Sequence, residues 1–292
     1  MAIRQEQAVL RDQLGPGDET KFWRDPRLND LECLRATFRN HVYARHVHET
    51  YSIGVIEAGH EGYHHRGQSW IASGGQFALL NPDESHDGYP VGEGYRYRTL
   101  YPEPTLMRWV MAEVMDRDSA DLPWFPAGPI KDPDLFVRLR RMHARLESDP
   151  SPLGRDESFL ETFALLIARH SDSSPGIPKQ GREAGAVARA VDYVMANLSE
   201  PVALEDLAEH CGLGRYRLIR CFRREVGMTP HAFLMTKRVA MARRLLAGGE
   251  GLVETALLCG FSDQSHLNRV FKSQVGITPG RYRAATGSRA FH

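Results

Sequence analysis

The side chains best able to do chemistry in this chain fall into two groups. The first is a set of imidazoles. The 292-residue sequence holds thirteen histidines. If the segment His46-Val-His48 is a strand, two of them share one face, because successive strand side chains point to opposite sides. His64 and His65 follow, and then His86, in the turn-rich run Asn81-Pro-Asp-Glu-Ser-His-Asp-Gly. Three neutral imidazoles, His46, His48 and His86, are a donor set for zinc or nickel. They serve equally as hydrogen-bonding walls of a metal-free pocket, or as surface residues, and residue type alone leaves these three readings open. Tyr51, Glu57, Tyr63, Arg96 and Arg98 add polar groups able to orient a small molecule in a cavity, with Trp70 and Phe77 as walls or core. Imidazole together with guanidinium favours an acidic ligand such as an amino acid or a carboxylate.

The second group lies near the C-terminus. Leu252 to Tyr282, LVETALLCGFSDQSHLNRVFKSQVGITPGRY, reads as a short helix, a turn at Cys259-Gly260-Phe261 and a second helix. The helical period places Val253, Ala256 and Leu257 on the inner face of the first helix, and Leu267, Val270 and Phe271 on that of the second. Ser262 or Asp263 is placed to cap the second helix. Gln264, Ser265, Asn268 and Arg269 are left facing outward. Such groups at a helix N-terminal end are suited to base edges in a major groove. Arg bonds guanine O6 and N7 together, at roughly 1–3 kcal/mol of discrimination, and Gln or Asn suits adenine.

The same pattern occurs earlier, in Leu204 to Phe233. Ala208, Cys211 and Gly212 match Ala256, Cys259 and Gly260, and Leu218, Arg220 and Phe222 match Leu267, Arg269 and Phe271 one residue further on. The extra residue falls in the second turn, where length is tolerated. By position the earlier unit presents Tyr216, Ile219 and Arg220. Arg215, Arg217 and Lys272 are suited to phosphates, adding affinity without sequence choice. For Arg220 and Arg269 a base contact, a phosphate contact and a salt bridge to a neighbouring helix (that of Glu205 or Glu254) all stand at this point. Between the units, Thr229 can cap a helix that runs to Ala247, with Pro230 in its first turn. Eighteen residues give a rod of ~27 Å, able to hold two reading helices near the ~34 Å of one DNA turn.

Other elements must position these groups. Residues 1–30 read as irregular. From about Leu31 to Pro102 short alternating runs with Gly, Pro and Asn between them suggest a sandwich or barrel. Three amphipathic helices follow within Pro104–Arg117, Asp134–Glu147 and Asp156–His170. In the last, Phe159, Phe163 and Leu166 face either the core or a second subunit. Ser171 to Gly181, polar and broken by Gly and two prolines, reads as a linker. A helix with Val187, Ala190, Val191, Val194 and Leu198 then opens the C-terminal part.

Bulk properties exclude some classes. Hydrophobic content of 42% and charge of 25% are ordinary for a globular chain. No apolar run approaches the ~20 residues of a membrane span, and the first residues lack a signal-peptide core, so a cytoplasmic location is expected. The formal net charge is zero, but from Arg182 onward 16 Lys and Arg face 10 Asp and Glu, against 21 and 27 in the rest. A basic C-terminal part joined to an acidic N-terminal part suits a nucleic-acid module attached to something else. The four cysteines form no C-x-x-C pair, so zinc-finger spacing is absent.

The tandem at about 184–285, and above all GFSDQSHLNRVFKSQVGITPGRYR, resembles the DNA-binding domain of the AraC/XylS family of transcription regulators. Residues 30–102 resemble the cupin barrel that serves those regulators as a sensor. The resemblance implies an α+β chain of two domains. Residues 1–170 would form a cupin-like β-barrel with flanking helices, for effector binding and dimerisation. A linker at 171–183 would lead to an all-α domain at 184–292 with helix-turn-helix units at about 203–227 and 252–276. It implies a DNA-binding regulator rather than an enzyme, an activator whose partners are double-stranded promoter DNA, a small-molecule effector, RNA polymerase and a second copy of the chain. Effector contacts would come from His46, His48, His86, Tyr51, Arg96 and Arg98. Two departures matter. Ala203 and Gly214 stand where the family usually has a Ser or Thr cap, which costs about 1 kcal/mol at Ala203 and less at Gly214. Metal cupins also carry a Glu shortly after the H-x-H pair. Here that spacing falls on Ser52 or Ile53, with Glu49 and Glu57 nearest, so a divalent metal in the barrel would rest on the three histidines.

Overall fold

The computed structural model describes residues 14–118, 120–172 and 183–287. Most of the expected linker lies outside the described residues. The chain divides into two units, one of residues 1–148 and 158–178, the other of 149–157 and 179–292.

The first unit is built on an eight-stranded antiparallel sheet. Its strands are β1 (Glu19–Asp25), β2 (Leu31–Phe38), β3 (Tyr43–His46), β4 (Ser52–His65), β5 (Gln68–Ser73), β6 (Phe77–Leu80), β7 (His86–Tyr101) and β8 (Pro129–Ile130). The order is β1-β2-β7-β4-β6-β8, with β3 also on β7 and β5 also on β4. Strand β1 corrects the expectation that residues 1–30 are irregular. It is an edge strand with only Asp25 buried, and its two aromatic residues, Phe22 and Trp23, are adjacent rather than alternating. A strand that buries so little leaves almost no period-two signal.

Strands β4 and β7 are long and bend together. Gly59 and Gly94 both have positive φ, at 76° and 97°. A Cβ on Gly59 would overlap the Gly94 carbonyl, and one on Gly94 would overlap that of Phe38. Only glycine permits this approach. The register slips here, with one extra residue on β4 between the pairs Ile56–Tyr97 and Ala58–Arg96. Such a bulge flips which side chains face inward. Ser52 and Gly54 line the interior before it, Glu61 and Tyr63 after it.

Helices α1 (Pro104–Met115), α2 (Pro133–Ser148) and α3 (Pro152–His170) follow. His143 fixes α2 to the sheet. Its Nε2–H is shared between the carbonyls of Leu34 and Thr99, at 3.1 and 3.2 Å, while Nδ1 accepts from Arg98 at 3.2 Å. Burial and the adjacent guanidinium push this imidazole down to about 3, so it packs as a neutral ring. In α3, Phe159, Phe163 and Leu166 are fully buried within one chain, the two rings stacked at 4.2 Å. They are core, and the alternative of a subunit seam at these residues falls away.

The second unit is helical: α4 (Ala184–Ala196), α5 (Leu204–Cys211), α6 (Arg215–Val226), α7 (Pro230–Ala247), α8 (Leu252–Leu258), α9 (Gln264–Val275) and α10 (Pro279–Gly287). Residues 149–157 group with it. The Leu153 amide donates to the Val202 carbonyl at 3.2 Å, and the His231 amide to Glu157 at 3.0 Å. The rod α7 starts as expected, with the Thr229 hydroxyl accepting from the Ala232 amide. Its buried Arg238 donates to the carbonyls of Leu198 and Glu200, at 2.8 and 2.7 Å. These carbonyls lie in the loop after α4. Gly260, at φ 72°, passes so close that a side chain there would meet both the Arg238 guanidinium and the Leu198 carbonyl. One buried arginine thus joins the first helix, the rod and the second turn.

Candidate functional site

Two sites stand out, one in each unit. In the helical unit α5–α6 and α8–α9 are the two helix-turn-helix pairs. At the start of α9 the Asp263 carboxylate accepts from the His266 amide at 2.7 Å, a formed N-cap. Gln264, Ser265 and Arg269 are exposed and Asn268 is half-buried, while Leu267 and Phe271 are fully buried. Val270, expected inside, is half-buried. In α6, Arg215, Tyr216, Arg217 and Arg220 are half-buried. Arg220 lies over the Tyr216 ring, 5.7 Å from its centroid. Arg215 pairs with Glu205 and Arg217 with Glu183. Arg215 makes a salt bridge to the helix of Glu205. Lys272 is exposed.

Two placements differ from the sequence expectation. Ile219, expected to be presented to DNA, is fully buried beside Leu218 and Phe222. Its place one residue after Leu218 puts it at the edge of the apolar stripe, and the packed neighbours claim it. In α8, Val253 and Leu257 are 51% and 62% exposed, and the buried residues are Thr255 and Ala256 with Cys259 beyond. A helix of seven residues is too short for its period to separate these two stripes.

The site in the sheet unit is a cavity of about 50 Å³. Its lining includes Tyr43, His46, His48, Glu61, Tyr63, His86, Asp87, Tyr97, Thr99 and Tyr101. His46 closes β3, His48 lies two residues beyond, and His86 opens β7 opposite His46. One ring nitrogen from each of the three lies within 4.8 Å of the other two. Burial, reinforced by the neighbouring imidazoles, pushes His48 down to about 3, and burial takes His86 down to about 4. Both are neutral rings near pH 7. Glu61 goes the other way, its carboxyl pushed up by burial to about 7, with the Tyr95 hydroxyl beside it partly offsetting the rise. The Tyr63 hydroxyl is buried without a hydrogen-bond partner.

Four residues expected in this cavity, Tyr51, Glu57, Arg96 and Arg98, are elsewhere. Strand β7 alternates, and Tyr97, Thr99 and Tyr101 take the inner face, so Arg96 and Arg98 point away. Both bind Glu57, and Arg98 also binds Glu147. Tyr51 is buried with its hydroxyl donating to the Pro123 carbonyl at 2.8 Å. Phenols satisfy the interior of a barrel better than guanidinium groups, whose desolvation is costly without a carboxylate.

Comparison with known proteins gives both units a place. A model of the AraC-like ligand binding domain matches residues 28–163, and a helix-turn-helix domain model matches residues 207–285. Over 246 residues the chain is 31% identical to the HTH-type transcriptional regulator YbfI of Bacillus subtilis, covering 83% of this chain and 87% of that one. This chain belongs to the AraC family of transcription regulators. It is also 24% identical to the HTH-type transcriptional activator RhaR of Klebsiella pneumoniae, over 91% of this chain and 96% of that protein. Among solved structures, an AraC-type DNA-binding regulator from Chromobacterium violaceum is 30% identical over 36% of this chain and 96% of its own, with a TM-score of 0.34.

The AraC-family regulator therefore pairs a DNA-binding module with a ligand-binding domain, and its family is one of regulators rather than enzymes. No helix among the described residues is long and apolar enough to cross a membrane. Sequence reasoning missed three residues that shape these sites. Glu61 was passed over although it shares a strand face with Tyr63, which was named. Arg238, in the middle of the rod, is buried where an arginine is usually exposed. His266 sits between polar residues, yet it is buried against Phe261 at 5.3 Å with its Nδ1 3.2 Å from the Ser262 hydroxyl.

Proposed function

We propose that this AraC-family regulator is controlled by a small molecule that enters the cavity of the sheet unit and alters its hold on promoter DNA. The observation that carries the reading is a cavity with an unpartnered Tyr63 hydroxyl beside the buried Glu61 carboxyl, inside the segment that matches the AraC-like ligand-binding domain. The lining has two carboxylates, Glu61 and Asp87, and no lysine or arginine. With Arg96 and Arg98 outside, an amino acid or carboxylate loses its partner, and a neutral molecule rich in hydroxyl groups fits better. A metabolite entering the cavity bears on the strands that carry these side chains, and a ligand that binds one arrangement of them better shifts the population toward it.

On the DNA side, the proposed base-reading groups are Tyr216 and Arg220 on α6, and Gln264, Ser265, Asn268 and Arg269 on α9. Arg215, Arg217 and Lys272 would lie toward phosphates. Ile219, being buried, drops out. The name of RhaR supports an activator, and activation would proceed by contact with RNA polymerase. Paired half-sites would call for a homodimer whose seam excludes the buried Phe159 and Phe163.

The test starts by selecting duplexes from a random pool with the full chain, then measuring affinity for the winners in the presence of neutral polyols, carboxylates and amines. An effector should change that affinity by roughly 5–150-fold, and Tyr63→Phe or Glu61→Gln should abolish the change. If the pool yields no enriched sequence, or if every compound leaves affinity unaltered, effector-controlled regulation is wrong.

A further inference from the structure

The sheet unit has a second recess. An open cleft of about 450 Å³ lies between the turn that joins β5 to β6 and the first turns of α2. It shares no lining residue with the interior cavity, and its volume is that of a small-molecule site. One side is a backbone turn pinned in place. The Gln76 amide closes it on the Ser73 carbonyl at 2.9 Å, and the amides of Gly74 and Gly75 donate to the carbonyls of Gly59 and Ile56, both at 3.0 Å. The Gln76 side-chain oxygen accepts from the Ser73 amide at 2.8 Å, which leaves its NH₂ group for a ligand. The other side is apolar, from Pro133, Phe136 and Val137.

The cleft also holds a cation. Phe77 on β6 pairs with Ile130 on β8, so Gln76 and Lys131, the next residues on each strand, come to the same end of the pair. Lys131 is exposed. Its neighbours in sequence are two aspartates, and both are engaged elsewhere. Asp132 binds Arg169 at 2.9 Å and His170 at 3.1 Å, and it accepts from the Leu135 amide at the start of α2. Asp134 binds Arg138 at 3.0 Å and Arg169 at 3.1 Å. Among the described residues no carboxylate pairs with Lys131. The lining holds one ammonium, one amide donor and no carboxylate, the reverse of the interior cavity with its Glu61 and Asp87.

We propose that this cleft is a second ligand site, for a small monocarboxylate with an apolar body. The carboxylate is met by the Lys131 ammonium and the Gln76 amide, and the body lies on Pro133, Phe136 and Val137. A few polar groups that fix orientation beside an apolar wall are the usual make-up of such a site. Occupancy ties the β5–β6 turn to α2, the helix that His143 fastens to the sheet. The site stands whether or not the interior cavity takes an effector.

The test is titration calorimetry on the full chain with hexanoate and 4-phenylbutanoate, each against its primary amide. Saturation at one acid per chain is expected, with 4-phenylbutanoate the tighter. Each acid should exceed its amide by about 5-fold, the value of an exposed ion pair, and the ratio should shrink as salt rises. Lys131→Gln, a change at an exposed side chain, should bring the acid down to its amide. Phe136→Ala should weaken acid and amide together, by about 10-fold. Tyr63→Phe, in the interior cavity, should change neither. No binding, equal affinity for acid and amide, or acid binding unaltered in Lys131→Gln overturns the proposal. Loss of binding in Tyr63→Phe puts the ligand in the barrel and overturns it as well. Effector failure would show separately, as operator affinity indifferent to small molecules while the acid still binds.

Discussion

The two helix-turn-helix pairs occupy equivalent places in the sequence and are finished differently. In α9 an aspartate caps the first turn, a buried histidine sits behind it, and Gln264, Ser265 and Arg269 stand exposed. In α6 the cap position is Gly214, which makes no side-chain cap. The place of His266 is taken by Arg217, which pairs with Glu183. The place of Arg269 is taken by Arg220, which rests on Tyr216. One helix is anchored at its start and offers its polar groups to solvent. The other is held along its length by ion pairs and a ring contact that its arginines must partly give up on reaching DNA. The contrast implies that α9 delivers most of the base discrimination, and that α6 contributes through positioning and phosphate contact.

The largest test of that contrast is a pair of arginine deletions. Arg269→Ala should cost about 1–3 kcal/mol on a selected site and little on random DNA. Arg220→Ala should cost less, because its guanidinium gives up the contact with Tyr216 when it moves to DNA, a contact worth about 0.5–1 kcal/mol. Competitive gel shifts on both duplexes separate the two, and equal losses from the two variants would erase the distinction. Next in size is acidity. Burial holds His266 below its ordinary range, so the unfolded chain takes up protons that the folded chain refuses. The stability this ring carries is present above about pH 6.5 and drains away as pH falls toward its depressed folded value. The second pair should therefore loosen between pH 7 and 5, read by hydrogen exchange in α9, with α6 as the control. If α6 loses protection first, the anchoring is misassigned.

Caps give smaller effects. Asp263→Ala removes the acceptor for the His266 amide and should lower the melting temperature of the helical unit by about 4 °C, with Asp263→Ser restoring most of it. Gly214→Ser offers α6 the cap it lacks and should gain only a few tenths of a kcal/mol, since glycine is itself a tolerable cap. A gain matching the Asp263→Ala loss would mean that the two helix starts differ less than their side chains suggest.

Much of this was legible in the sequence, for identifiable reasons. The tandem repeat, the rod from Pro230 to Ala247 and the Asp263 cap rest on local spacing, and local spacing fixes helices of ten residues or more. The seven-residue α8 escaped that logic, with Val253 and Leu257 turned outward. In the sheet unit the strands from Leu31 onward were readable as strands, but the faces were not. A single inserted residue near Glu57 reverses the inner face of β4, and alternation along β7 cannot say whether Tyr97 or Arg98 looks inward. The histidine cluster was visible as a set of residues, while the carbonyls of Ala44 and Glu84 that orient two of its rings belong to backbone geometry that no residue type announces.

The central claim is that two reading helices, held by one rod, lie in successive major grooves with unequal roles. Methylation interference at guanine N7 on a selected duplex tests it most directly. The account predicts two clusters of sensitive guanines, one helical turn (~10 bp) apart on the same face, with the cluster that disappears in Arg269→Ala carrying the stronger interference. A single cluster, or two that fade equally in Arg220→Ala and Arg269→Ala, would contradict it.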